Sequence, residues 1–143
     1  MERAIYIEAI VLKELENTIG ESIPKVSKIE YDTFGMVVRD NKVLILGLYK
    51  CGLKTLPDSF GNLKLLRELD LDDNELTTLP ESFGNLKSLQ HLELQHNKLT
   101  TLPESLCSIP NLKTIYITMK LLGKQAKLVI NRCKKKGIEI KNW

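Results

Sequence analysis

Reactive chemistry is scarce in this chain: two histidines, one tryptophan and three cysteines in 143 residues. No apolar run approaches the ~20 residues of a membrane-spanning helix. Glu2, Glu8 and Lys13 interrupt the first stretch, so it does not read as a signal peptide. There is no Gly-rich phosphate loop, no nucleophile elbow and no H-E-x-x-H pair. These absences argue against an enzyme, and no cofactor or metal is expected. His91 and His96 are five positions apart, with no cysteine or histidine at ligand spacing. They are read as groups that titrate between about pH 5 and 8, not as a metal pair. Cys51, Cys107 and Cys133 are odd in number and widely spaced, which suggests reduced thiols and a cytoplasmic location. Cys133 falls on an apolar helical phase, so it is expected to be buried and inert.

The length suits one domain. The net charge of +3 is unevenly spread. Residues 1–52 carry seven Lys/Arg against eight Asp/Glu, residues 53–112 five against nine, and residues 113–143 nine against one. Net charges of −1, −4 and +8 follow. The basic end reads first as a solvated helix face and second as a surface for anionic polymer or membrane.

What the chain does have is repetition. "LKTLPDSFGNLKLLRELDLDDNE" is followed by "LTTLPESFGNLKSLQHLELQHNK" and then "LTTLPESLCSIPNLKTIYITMK". Aligned by 23, the pattern L-x-x-L-x-L-x-x-N-x-L-x-x-L-P stays in register. Leu66, Leu69, Leu71, Asn74, Leu76, Leu79 and Pro80 fill one copy; Leu89, Leu92, Leu94, Asn97, Leu99, Leu102 and Pro103 fill the next. An earlier copy has Cys51 in the Asn slot, and a later one has Lys120 there.

Each fixed letter has a physical reason. L-x-L has period two, so both leucines point to one side of a short strand. One coil cannot bury its leucines alone, whereas stacked coils bury them against one another. Asn74 and Asn97 follow the strand, where an amide can bond backbone groups in its own coil and the next. Pro57, Pro80 and Pro103 fix φ as the chain turns back. Phe60, Phe83 and Leu106 plug the outer layer. Cys107 takes the Gly slot of the third copy, which implies a different backbone there.

This wording resembles the leucine-rich repeat family from about Val43 to Leu122. The resemblance implies an α/β fold: a right-handed solenoid of about four coils with a parallel concave sheet. Residues 43–120 would be the repeats, 1–42 an N-terminal helix and hairpin cap, and 121–143 a C-terminal helix and strand cap, all in one domain. Periodicity places the first helix over about residues 2–18 with Ile5, Ala9, Leu12 and Ile19 apolar, stopped by Gly20. A hairpin follows, Phe34–Val38 and Val43–Leu48, turning at Asp40-Asn41. Leu122, Ala126, Val129, Ile130 and Cys133 form the apolar face of the last helix, ended by Gly137. Ile138 and Ile140 suggest an edge strand, and Trp143 is expected to pack on this cap.

Residues flanking L-x-L face away from the core, onto the concave sheet. They are Ile45, Gly47 and Tyr49; Glu68, Asp70 and Asp72; His91, Glu93 and Gln95; Thr114, Tyr116 and Thr118. Glu68, Asp70, Asp72 and Glu93 form an acidic patch edged by Tyr49 and Tyr116, a face for a basic or mixed-charge protein partner. Asp70 and Glu93 are taken as exposed charges. Four strands span only ~15 Å, so a standard interface of about 800 Å² per partner would also need flanking turns or caps. The L-P-x-S-F-G-N-L wording is similar to scaffolds that engage Ras-like small GTPases, which makes such a GTPase a candidate partner for a cytoplasmic monomer. The rival surface is the basic helix with Lys124, Lys127, Arg132, Lys134, Lys135 and Lys136, for nucleic acid or membrane; nucleic acid is the less favoured. "DLDDNELTTLPE" imitates a calcium loop but has Glu75 where the sixth position requires Gly.

Overall fold

The computed structural model describes residues 2–142, with side chains from residue 7 onward. Trp143, expected to pack on the C-terminal cap, and the side chain of Ile5 lie outside the described residues.

Helix α1 spans Glu2–Ile19 and stops at Gly20, whose φ of 90° suits glycine. Its buried face is Glu8, Val11 and Leu15. Ala9, expected on that face, is exposed, and Leu12 and Ile19 are half-buried. The buried face is thus rotated from the expected one, and it has a carboxylate bonded into it. Glu8 Oε2 accepts the Val43 N–H at 3.0 Å and so ties α1 to the hairpin.

Strands β1 (Phe34–Arg39) and β2 (Lys42–Leu48) pair antiparallel. Their two-residue turn uses positive φ at Asp40 and Asn41, the hairpin geometry that matches strand twist. Strands β3 (Glu68–Asp70), β4 (His91–Leu94), β5 (Thr114–Ile117) and β6 (Glu139–Asn142) then add in order, each parallel to the one before. Leu46, Leu69, Leu92, Ile115 and Ile140 occupy one row, and the first four are buried.

The return segments are 3-10 turns at Asp58–Asn62, Glu81–Asn85 and Glu104–Ser108. Phe60 and Phe83 stack beneath them, with ring centroids 5.5 Å apart and planes 9° from parallel. Asn74 carries out the bonding its slot requires. Its Oδ1 accepts the N–H groups of Cys51 and Leu53 in the preceding coil, while Nδ2 donates to the Leu48 and Leu71 carbonyls. Asn97 repeats this one coil on, to Leu76 N–H and the Leu71 and Leu94 carbonyls. Residues just before this slot, Lys50, Asp73 and His96, take positive φ to make the turn.

Helix α2 (Lys124–Lys135) buries Ala126, Val129, Ile130 and Cys133. Gly137, at φ 88°, ends it, with the Ile138 N–H bonded back to the Cys133 carbonyl in the manner of a Schellman cap. The cysteine expectation needs correction. Cys107 and Cys133 form a disulfide, so Cys133 is buried but is not a reduced thiol, and only Cys51 is free. Spacing along the sequence hid a pair that the fold brings together.

Candidate functional site: the concave sheet

Register puts Ile45, Glu68, His91, Thr114 and Glu139 in one row of the concave sheet. Gly47, Asp70, Glu93, Tyr116 and Lys141 make the next. Asp70 and Glu93 are therefore direct neighbours across β3 and β4, as the repeat implies.

Their setting differs from the sequence expectation. Asp70 is only 7% exposed and Asp72 is fully buried, so neither is a free surface charge. Asp70 Oδ1 accepts the Asp72 N–H at 2.8 Å, and Asp72 Oδ1 accepts the Gln95 N–H at 2.6 Å. The carboxylates are used to hold the strand exits. Glu68 is exposed, whereas His91, Glu93, Gln95, Tyr49, Tyr116 and Thr118 are half-buried. Thr118 Oγ1 accepts the His96 N–H at 3.0 Å, and His96 Nδ1 lies 3.4 Å from Asp73 Oδ2. Thr114 is buried.

Part of the cover comes from residues 21–33, which lie over the N-terminal end of the concave face. Pro24–Val26 bond to Met36 on β1. The segment then passes over Gly47, where a Cβ would meet the Thr33 carbonyl oxygen at 2.4 Å and Ile29 at 3.3 Å. Only a glycine admits this approach. Tyr31 stands at the loop's edge, 63% exposed, its ring 5.7 Å from that of Tyr49. Between loop and sheet is a cavity of about 130 Å³, with walls that include Ile29, Glu30, Tyr31, Glu68, Asp70 and Glu93. On the opposite side Lys141 adds a cation, 5.1 Å above the Tyr116 ring.

Burial raises all three inner carboxyls. Asp72 is pushed up to about 7 by burial first and by Asp70 second, against the opposing Gln95 N–H. Asp70 rises through burial, although the Asp72 N–H holds it back, and Glu93 rises through burial and the Asp70 charge. The cluster therefore keeps a proton near neutral pH. Asp70, Asp72 and Glu93 could each offer a cation one oxygen, all within 4.8 Å of one another. Calcium takes six to eight oxygen ligands, and a proton on Asp72 would compete.

Glu30, Tyr31 and Lys141 are site residues that the repeat does not reveal. Lys141 continues the Asp70–Glu93–Tyr116 row, and the alternation of Ile138 and Ile140 marked its strand. Tyr31 sits in a segment without period; the paired glycines Gly35 and Gly47 were the available sign that something crosses there.

Short parallel strands on one side, tight returns on the other and an inter-coil asparagine ladder define a stacked repeat protein of the α/β class. The chain belongs to the leucine-rich repeat family, whose model matches residues 42–99 and 80–119. Among solved structures, a leucine-rich repeat protein of Leptospira interrogans is similar at 27% identity and a TM-score of 0.62. The match covers 85% of this chain and 30% of that one, so this chain spans about a third of that protein's length. None of the curated proteins compared matches the chain significantly. Leucine-rich repeat proteins are in general interaction modules that present a concave surface, and the family is generally a non-enzymatic scaffold. No helix among the described residues is long and apolar enough to cross a membrane.

Proposed function

We propose that this chain is a non-catalytic recognition module that binds a basic protein surface on its concave sheet. The observation that carries this reading is the register that lines Glu68, Asp70 and Glu93 beside a cavity also walled by Glu30 and Tyr31. The accessible contacts are Glu68, Glu93, His91 and Tyr31, with Tyr49 and Tyr116 flanking. Asp70, Asp72 and Thr118 set the scaffold and the potential from beneath. A Ras-like small GTPase is the partner suggested by the repeat wording. The unit is read as one monomeric domain, a right-handed solenoid of about four coils over residues 43–120 with caps on either side. A cytoplasmic location loses the argument from unpaired thiols at Cys107 and Cys133.

Capture from a native lysate tests the reading, comparing wild type with Glu68→Lys/Glu93→Gln. Asp70 is left unchanged in this variant, because its reversal would bury a cation. The expected outcome is a partner lost from the variant; a partner retained equally removes the concave surface from the account.

The second reading, an anionic surface met by α2, is favoured by Leu128, which is 60% exposed among Lys124, Lys127 and Lys135. Arg132 is engaged by Glu104. Binding to anionic vesicles that falls steeply with salt, unaffected by Glu68→Lys, would support this reading over the first.

A further inference from the structure

The repeat places glycine at Gly61 and Gly84 and cysteine at Cys107. A Cβ at Gly61 would lie 2.2 Å from the Ser82 carbonyl oxygen, and one at Gly84 2.4 Å from Ser105 Cβ. The coil that follows each glycine leaves no room for a side chain. After Cys107 the next unit is α2 instead, and the Cα atoms of Cys107 and Cys133 come to 4.8 Å, within the usual span of a disulfide. The slot closed to side chains in the earlier coils has become a point of covalent attachment.

We propose that Cys107 and Cys133 form a redox latch. Oxidised, it fastens α2 and β6 to the last coil; reduced, it leaves that unit held by packing alone and free to open locally. Three features support this. The bond joins positions 26 apart, across a segment that contains all of β5 and most of α2, so it restricts the open state of that unit. The reduced state is also accommodated, because Cys107 Sγ lies 3.1 Å from the Val129 carbonyl oxygen, an acceptor for the thiol. Access is one-sided: Cys107, 5% exposed, lines the wall of a surface cleft with Ser108, Pro110, Lys136 and Ile138, while Cys133 is fully buried.

Exchange therefore starts at Cys107. A glutathione thiolate attacks Cys107 Sγ, the S–S bond breaks, and Cys133 leaves as a thiolate that takes a proton. A second glutathione thiolate attacks the glutathione sulfur of the mixed disulfide, releasing the Cys107 thiolate and glutathione disulfide. Lys136 in the cleft attracts this anionic reagent. Oxidation by glutathione disulfide is the same sequence reversed, releasing two glutathione molecules. Opening of α2 and β6 would uncover β5 as an unpaired edge, which other strands can join.

The test equilibrates the full chain in glutathione disulfide or in reduced glutathione, then alkylates it under denaturing conditions. Hydrogen exchange is followed in both forms. One alkylated thiol, Cys51, is expected in the oxidised form and three in the reduced form. Amides of α2 and β6 should exchange about tenfold or more faster after reduction, with those of β2 to β4 unchanged. Cys107→Gly, which restores the residue of the earlier coils, should exchange at α2 and β6 alike in both buffers. Three alkylated thiols in glutathione disulfide would overturn the latch, and so would equal exchange at α2 and β6 in the two wild-type forms.

Discussion

Asp72 reaches across a coil boundary to accept the Gln95 N–H at 2.6 Å, and it does so while fully buried beside Asp70. The same contact that registers two coils thus confines negative charge. Because the Asp72 pKa is raised in the fold to about 7, the native state binds the extra proton between about pH 4 and 7. The unfolded chain has already released it there, so stability falls as pH rises through that window. Asp72→Asn keeps an acceptor for Gln95 and removes the charge. Urea denaturation should find the variant more stable than wild type at pH 8 by on the order of 1 kcal/mol. At pH 4 the two should be nearly equal.

The asparagine ladder gives a second expectation. Asn74→Ala strands the buried Leu53 N–H and Leu48 carbonyl and the half-buried Cys51 N–H. Each unsatisfied buried group costs about 1–3 kcal/mol, so the variant should lose at least about 2 kcal/mol in chemical denaturation. Asn74→Asp retains the acceptor and forfeits the donor, and should lose less at the Cys51 and Leu53 side than at Leu48.

Gly47→Ala puts a methyl where the Thr33 carbonyl stands 2.4 Å away. Backbone cannot yield that much without lifting the segment that crosses it. Limited proteolysis should cut within residues 21–33 faster in this variant, while amides of β3 to β5 keep their protection.

Glu8→Ala should loosen α1. It removes the acceptor of Val43 N–H and the partner 3.8 Å from Lys42 Nζ, a loss of about 1–3 kcal/mol from a buried charged hydrogen bond. The check is a thermal melt compared with Glu8→Gln, which keeps an acceptor oxygen and should recover part of the loss.

How far the sequence anticipates all this varies by element. Leu69, Leu92 and the asparagines are set by a period of 23, and the same period puts Asp70 beside Glu93. Periodicity fixes which face a residue joins, but not how deeply neighbouring backbone covers it. That is why Asp70 and Asp72 read as surface charges and are found buried. Residues 21–33 repeat nothing, so their path over Gly47 had no pattern to betray it. Glu8 read as a break in an apolar stretch, when its carboxylate is the tie between helix and hairpin. The disulfide had both halves in view, a cysteine in a glycine slot and another on an apolar helix face. Their meeting depends on how α2 docks, which no local spacing specifies.

The central claim is that recognition occurs on the concave acidic rows and not on the basic helix. Calorimetric titration of a captured partner against wild type, Glu68→Lys and Lys127→Glu tests it most directly, since both substitutions sit at exposed positions and should fold like wild type. The account predicts a loss of at least about tenfold in affinity for Glu68→Lys, roughly 1.4 kcal/mol, and no change for Lys127→Glu. Affinity that survives Glu68→Lys and collapses with Lys127→Glu would contradict it.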